Sequence, residues 1–377
     1  MNFKKLANLF LIVVFAAILL IPTLDSFFSF SPVKDLFEKR LPVKRPETPK
    51  SFTELGYYPR NFESFFNDNF GARKTLISLN TKMMDKIFDE ITDSRVIEGK
   101  DEWYYFDNGN VVLDMLGRAQ MEDRLINKGV ESFGKNWQEM RSRGISYLLV
   151  IAADKTTIYP EFLPDYLKAS ADGTRRVDQF LKALKAQYPD FPVLDLRPIL
   201  KKAKEKEIIY QKTDTHWNKR GAHYGYVEIM NALSKQKIKF KPHLRKDFSE
   251  KADEYIKGDI SDVMNLNTSN LNYDLEPKFK PSFHEIETSK EERQKFHNPV
   301  FFANKNSNLP VLFAYKDSYF SDLSSYIPEH FSKTYEDNEH PCNLDYEVIK
   351  EYRPNVVIQE FWEGRIEIVL NQCFDKN

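Results

Sequence analysis

Cysteine and net charge are both scarce in this 377-residue chain, which has two cysteines and a formal charge of −1. With two cysteines and no Cys-x-x-Cys pair, a cysteine-built zinc site is excluded. Balanced charge gives no basic field for nucleic acid, so no nucleic-acid partner is expected. The 13 glycines are nowhere spaced as a P-loop or a dinucleotide-binding loop, which removes both phosphate-cradling classes. Long apolar runs are absent except at the N-terminus.

That single run follows Lys4 and Lys5. Leu6 to Leu24 is apolar apart from Asn8, Pro22 and Thr23, long enough at about 1.5 Å per residue to cross most of a hydrocarbon core of roughly 30 Å. No small-x-small cleavage site precedes Asp25, which favours an uncleaved signal anchor over residues 1–30. Lys34, Lys39, Arg40, Lys44 and Arg45 lie just beyond it and compete with the two N-terminal lysines for the cytoplasmic side. Pro32, Pro42, Pro46 and Pro49 then mark residues 31–56 as an extended spacer. The remainder, 57–377, is long enough for one large α/β domain.

Two short blocks carry the chemistry. Asp214-Thr215-His216-Trp217 and Lys316-Asp317-Ser318-Tyr319 together supply a nucleophile, a base and an orienting acid. A serine hydroxyl is a weak nucleophile at neutral pH, so an imidazole must take its proton and a carboxylate must fix the tautomer of that imidazole. On extended backbone, residues two apart share a face, which brings Asp214 beside His216. Leu309 to Tyr315 reads as a buried strand and Ser321 to Tyr326 as the start of a helix, so Ser318 is expected on the turn between them. There the free N–H groups of the helix start would stabilise an oxyanion.

Plainer readings exist for the same residues. An Asp-Ser pair after a strand is often a helix cap, and Asp-Thr-His-Trp can form an Asx turn with a half-buried histidine packed on Trp217. Asp214, His216 and His223 also have the chemistry of zinc ligands, although the seven-residue step between the histidines requires the intervening chain to fold back.

In this order, Asp-x-His-Trp before Asp-Ser, the chain resembles the SGNH (GDSL) hydrolase superfamily in circularly permuted form. It is similar to the alginate O-acetyltransferases of the J and X type and to the DHHW proteins. Further blocks agree: Phe62 to Leu79, Asp154-Lys155 with Tyr159-Pro160-Glu161 and Leu163-Pro164, Lys257-Gly258-Asp259-Ile260, and Val356 to Phe361. There are departures. Lys316 stands where the family has glycine, and Gly364 separates Glu363 from Arg365.

The resemblance implies O-acetyl transfer to an exported cell-surface polysaccharide through Ser318, His216 and Asp214. A membrane-bound O-acyltransferase partner would deliver the acetyl group, so no soluble cofactor is expected. Lys155, Tyr159, Trp217, Asn218 and Tyr319 are the substrate-binding candidates, with Trp217 and Asn218 also supporting the loop. The rival classes are a carbohydrate esterase (deacetylase), a metal-dependent hydrolase and a non-catalytic sugar-binding scaffold.

The expected fold is an α/β, SGNH-hydrolase-like, mostly parallel sheet flanked by helices, with an N-terminal membrane segment. Helices are expected over Phe65 to Phe88, Leu125 to Arg143, Thr174 to Tyr188, Arg220 to Leu233 and Tyr346 to Tyr352, and strands over Tyr147 to Ala152, Val193 to Leu196 and Val356 to Phe361. Residues 236–308, polar and poor in apolar runs, read as an insertion of loops or short strands. Exposed rings such as Tyr104, Tyr105 or Trp362 could stack on sugars, with core packing the default reading for most of the aromatic residues. In an exported domain, Cys342 and Cys373 are a candidate disulfide.

Overall fold

The computed structural model describes residues 3–32, 43–83, 95–107, 111–168, 173–255, 258–264 and 270–374. Pro42 of the spacer, Lys34, Lys39, Arg40, Phe88 and Lys257 lie outside these residues. By compactness the chain divides into two units, Met1–Ser94 with Ser261–Thr268, and Arg95–Ile260 with Ser269–Asn377.

The first unit is helical. Helix α1 (Phe3–Phe28) contains the one helix among the described residues that is long and apolar enough to cross a membrane, Lys5–Phe28, with mean hydropathy 2.6. Helix α2 (Phe52–Asn69) is N-capped by the Ser51 hydroxyl, which accepts from the Glu54 N–H. It begins inside the expected spacer. Phe70, Gly71 and Ala72 separate it from α3 (Arg73–Met83), so the long helix read over Phe65 to Phe88 is interrupted. The cause is local: Ala72 has a φ of 61°, and the Gly71 and Ala72 N–H groups donate to Ser26 Oγ and Asp25 Oδ2 rather than to helix carbonyls.

The second unit is built on seven strands: β1 (Ser146–Ala152), β2 (Val193–Asp195), β3 (Phe283–Ile286), β4 (Val300–Asn304), β5 (Val311–Tyr315), β6 (Lys333–Asp337) and β7 (Val356–Trp362). Their order across the sheet is β2-β1-β7-β5-β6-β4-β3. From β2 to β6 every pairing is parallel, whereas β4 runs antiparallel to β6 and β3 antiparallel to β4. The stretch 236–308 thus supplies the antiparallel edge of the sheet as well as a separate ribbon of Phe248–Tyr255 with Asn270–Pro277.

Strand alternation creates two cores. Leu148, Val150, Leu312 and Ile358 face one side, and Tyr147, Leu149, Ile151, Phe313 and Val357 the other. Helix α6 (Lys219–Ser234) covers the first face with Ala222, Tyr226, Ile229, Met230 and Leu233 at helical spacing. Helices α4 (Asp123–Ser142) and α5 (Arg176–Gln187) cover the second with Phe133, Met140, Phe180 and Leu184. Both strand faces are apolar because both are covered, which is why these strands read as continuous apolar runs. Helix α7 (Tyr346–Tyr352) leads into β7 with Arg353 in the left-handed region, φ 45°.

Cys342 and Cys373 are bonded, with Cα atoms 4.9 Å apart. The bridge ties the segment after β6 to the end of the helix Ile366–Asn371. Closing a 31-residue separation removes unfolded-state freedom worth about 4 kcal/mol in the chain-entropy model. Cys373→Ser is therefore expected to lower the unfolding free energy by about 2–4 kcal/mol. An unchanged urea midpoint, followed by near-ultraviolet circular dichroism, would show that the bridge adds nothing.

Candidate active site

The site forms where parallel strands end, the position that open α/β sheets reserve for ligands. Its base-bearing loop runs from Ile208 to Asn218, and a bridge between Tyr210 and Trp217 closes it. Asn218 caps α6: its Oδ1 accepts from the Arg220 and Gly221 N–H groups at 3.0 and 3.2 Å, and its Nδ2 donates to the Ile208 carbonyl. Trp217 is fully buried beneath the loop. Gly221 is required there, because a Cβ would lie 2.4 Å from the Ile209 carbonyl oxygen.

Lys155 holds this loop from below. Its ammonium, on a side chain buried at the end of β1, donates to the carbonyls of Gln211, Lys212 and Asp214 at 2.8, 2.9 and 2.6 Å. Tyr159 accepts the Ile209 N–H on its hydroxyl, and the Tyr319 hydroxyl donates to the Thr215 carbonyl at 2.8 Å. The five substrate-binding candidates, Lys155, Tyr159, Trp217, Asn218 and Tyr319, are all buried. Their polar atoms address backbone groups, or in Trp217 no partner among the described residues. All five support the loop in this structure, the role already expected of Trp217 and Asn218.

Asp214 and His216 come together by a route other than the extended backbone expected. The segment turns, and Asp214 Oδ1 accepts from the His216 backbone N–H at 2.9 Å, an Asx turn, while also meeting His216 Nδ1 at 2.7 Å. The turn reading and the catalytic reading therefore describe one geometry. His216 Nε2 lies 2.7 Å from Ser318 Oγ, and Ser318 is exposed.

Asp317 locks the serine turn. Its Oδ1 accepts from the Tyr319 N–H and its Oδ2 from the Trp362 N–H at the end of β7, while its own N–H donates to Glu360. Burial, then the Asp317 charge, pushes the Glu360 carboxyl well above its ordinary range. Lys316 needs no glycine-like freedom, because no residue from 316 to 318 has a positive φ.

The helix expected over Ser321 to Tyr326 shrinks to Phe320–Leu323. Its leading N–H groups are engaged within the turn, Tyr319 to Asp317 Oδ1, Phe320 to the Asp317 carbonyl and Ser321 to the Ser318 carbonyl. The Ser318 N–H is left without a protein acceptor among the described residues.

A second carboxylate emerges that single motifs did not single out for this place. Asp259 accepts from the Thr215 N–H and hydroxyl at 2.7 and 2.5 Å, donates its own N–H to Asp214 Oδ2, and sits 3.8 Å from His216 Nδ1. Its neighbour Gly258 must be glycine, since a Cβ would meet the Thr213 carbonyl at 2.1 Å. Burial raises the Asp214 carboxyl, but the His216 ring bond and charge, with the two backbone N–H donors, hold it well below the usual carboxylate range. Burial also pushes His216 down. The bond and charge of Asp214, then the charges of Asp259 and Asp317, outweigh it and lift the imidazole above its ordinary 6.5.

Asp214, His216 and Asp259 present ligand-type atoms within 4.8 Å of one another. His223, the third metal ligand offered by the sequence, is elsewhere: its Nε2 lies 3.1 Å from the His243 carbonyl and its ring packs on Phe248 and Tyr326. The expectation of exposed sugar-stacking rings is corrected. Tyr104 and Tyr105 are buried, and Trp362 is half-buried, its Nε1 donating to Asp154. Glu363, beside Gly364, is buried between Arg175 and Arg197 and accepts from the Asp154 N–H and Thr157 hydroxyl.

Residues 96–306, more than half of the chain, match the family model described as the SGNH hydrolase-like domain of the acetyltransferase AlgX; the match ends before Ser318. The probable alginate O-acetylase AlgJ of Pseudomonas syringae is 24% identical over 181 residues, 48% of this chain and 44% of that protein. The chain thus matches about half the length of this curated relative. Among solved structures, PatB1 of Bacillus cereus superposes with a TM-score of 0.54 at 15% identity, over 72% of this chain and 96% of the other. A DHHW family protein from Eubacterium siraeum gives 0.51 at 14%, over 72% and 92%. At these identities the likeness is one of fold.

A raised imidazole must lose its proton before it can accept one from Ser318. The acid limb of kcat/KM against pH is therefore expected above 6.5, with activity rising as pH increases through it. Asp259→Asn keeps an oxygen for Thr215 but deletes a charge, which should move the limb to lower pH. A limb that stays in place would remove Asp259 from the tuning of His216.

Proposed function

The chain belongs to the SGNH hydrolase-like family of the acetyltransferase AlgX, and from that membership we propose that it transfers O-acetyl groups to an exported cell-surface polysaccharide. The observation that carries the reading is the relay from Asp214 through His216 to an exposed Ser318, with 2.7 Å at both steps. Ser318 Oγ attacks the acetyl carbonyl while His216 Nε2 takes its proton. The Ser318 N–H faces the charge that develops on the carbonyl oxygen. The tetrahedral adduct expels the donor oxygen, which receives the proton from His216 and leaves an acetyl-serine. A sugar hydroxyl then gives its proton to His216, attacks the acetyl carbon and releases Ser318 as the free alcohol once that proton returns.

Nothing in this cycle calls for a soluble cofactor. A membrane-bound O-acyltransferase partner presenting the acetyl ester fits it, because the chain's own anchor would keep Ser318 near that source. In this reading residues 1–30 anchor the protein, and the second unit, from Arg95 on, carries the catalytic residues on the periplasmic or extracellular side. The Cys342–Cys373 bridge supports an oxidising compartment. The acceptor is proposed to be an alginate-like polysaccharide, by analogy with the named relatives.

Ser318→Ala and His216→Ala are each expected to lower acetyl transfer by several orders of magnitude with the fold intact, because members of a triad act as a unit. Asp214→Asn should cost about 10⁴-fold through the wrong tautomer. Near-normal turnover in folded Ser318→Ala protein would sink the nucleophile, and activity abolished by a chelator would favour the metal reading. With an activated acetyl ester as donor, adding the right oligosaccharide should yield acetylated sugar at the expense of free acetate. Rapid acetate release from an acetylated polysaccharide, with no acetylated acceptor, would replace the transferase by an esterase.

A further inference from the structure

We infer that α2 is an interfacial helix, laid in the headgroup region of the same bilayer that α1 crosses, with its aromatic stripe toward the acyl chains. The inference goes beyond acetyl transfer and rests on α1 as a membrane span. Phe52, Leu55, Phe62 and Phe66 recur at three-, seven- and four-residue steps, which places them on one face of α2. All four are exposed, Phe52 by 93% and Phe66 by 54%. Glu54, Arg60 and Ser64 lie on the opposite side together with Tyr57, and Glu63 borders the stripe beside Phe52. An amphipathic helix with aromatics on one side and charge on the other has the character of a membrane-surface helix.

The depth of this helix is set by named contacts. The turn after α2 is fastened to the end of α1, with the Gly71 N–H on Ser26 Oγ at 2.9 Å and the Ala72 N–H on Asp25 Oδ2 at 2.6 Å. The fit is close, since a Cβ on Gly71 would lie 2.2 Å from the Pro22 carbonyl oxygen. The apolar span Lys5–Phe28 has 24 residues, about 36 Å of helix against a hydrocarbon core of roughly 30 Å. Asp25 and Ser26 therefore stand at the level of the headgroups, where a carboxylate is tolerated and aromatic side chains collect. A helix tied to that level with a row of exposed phenylalanines has lipid as its nearest apolar solvent. In α3, Leu76 and Leu79 are exposed next to the same turn.

The test uses the full chain in vesicles of phosphatidylethanolamine and phosphatidylglycerol with no other protein present. Phe15→Cys, Phe62→Cys and Ser64→Cys are each spin-labelled, the native cysteines remaining bonded, and power saturation reads access to oxygen and to a water-soluble nickel chelate. The expected result is oxygen-dominated access at 15 and 62 and nickel-dominated access at 64, the ratio differing severalfold between the last two. Equal ratios at 62 and 64 would overturn the inference. So would a label at 62 shielded from both reagents, which would mean that protein, a second copy, covers the stripe. A nickel-accessible label at 15 would remove α1 as a span and the inference with it, while acetyl transfer and its Ser318→Ala control would be unaffected.

Discussion

One ammonium group holds the candidate site in shape. Lys155 gathers the carbonyls of three loop residues, Gln211, Lys212 and Asp214, and so fixes a backbone that contributes no sheet pairing except the single bridge of Tyr210 with Trp217. Trp103 and Tyr105 lie about the same ammonium, their ring centres 5.6 and 5.5 Å away, which favours a cation there. Hydrogen bonds to a charged donor are worth more than neutral ones, and the loop concentrates three of them on one atom. Remove that charge and Asp214 would keep its chemistry but lose its address.

Around this fixed loop, charge is arranged with a defined sign. His216 is surrounded by Asp214, Asp259 and Asp317, so its protonated form is favoured, while the His216 ring and the backbone N–H groups of His216 and Asp259 favour the ionised form of Asp214. The raised imidazole contributes stability that is full below its unfolded pKa and is lost as pH rises through the folded value. The depressed carboxyl contributes stability that is present above its unfolded pKa and is lost as pH falls through the folded value. Both contributions are complete only between those limits. Stability and basicity are thereby opposed, because the pH that frees His216 to act as a base also releases part of what secures it.

Periodicity and residue order were legible in the sequence. Helix α6, the strand β5 and the helix α7 fall where apolar spacing puts them, since burial on a fixed face leaves a fixed trace. The pairing of Asp214 with His216 was also foreseeable, although through a turn instead of extended backbone. Side-chain direction was not. Lys155 and Tyr159 were pocket candidates on the family resemblance, and only the fold shows that their polar atoms point at buried carbonyl and N–H groups. Tyr104 and Tyr105 were offered for their aromatic rings and prove to follow the plainer reading, core packing. Asp259 carried a sequence signal, the Gly258-Asp259 pair, but its approach to Thr215 depends on how residues 44 positions apart fold back, which no local pattern records.

The place of β7 in the sheet has a consequence for when this protein can exist as a folded object. Strand β7 lies between β1 and β5, pairing Val356 with Ser146 on one side and with Leu312 on the other. An interior strand of the sheet is thus the last of the seven in chain order. Until it arrives, β1 and β5 have no common partner and the Trp362 N–H is missing from Asp317, so the serine turn is unfinished. Long-range parallel pairing of this kind is slow to form. Until the segment beyond residue 355 is in place, neither the parallel part of the sheet nor the turn that carries Ser318 is complete.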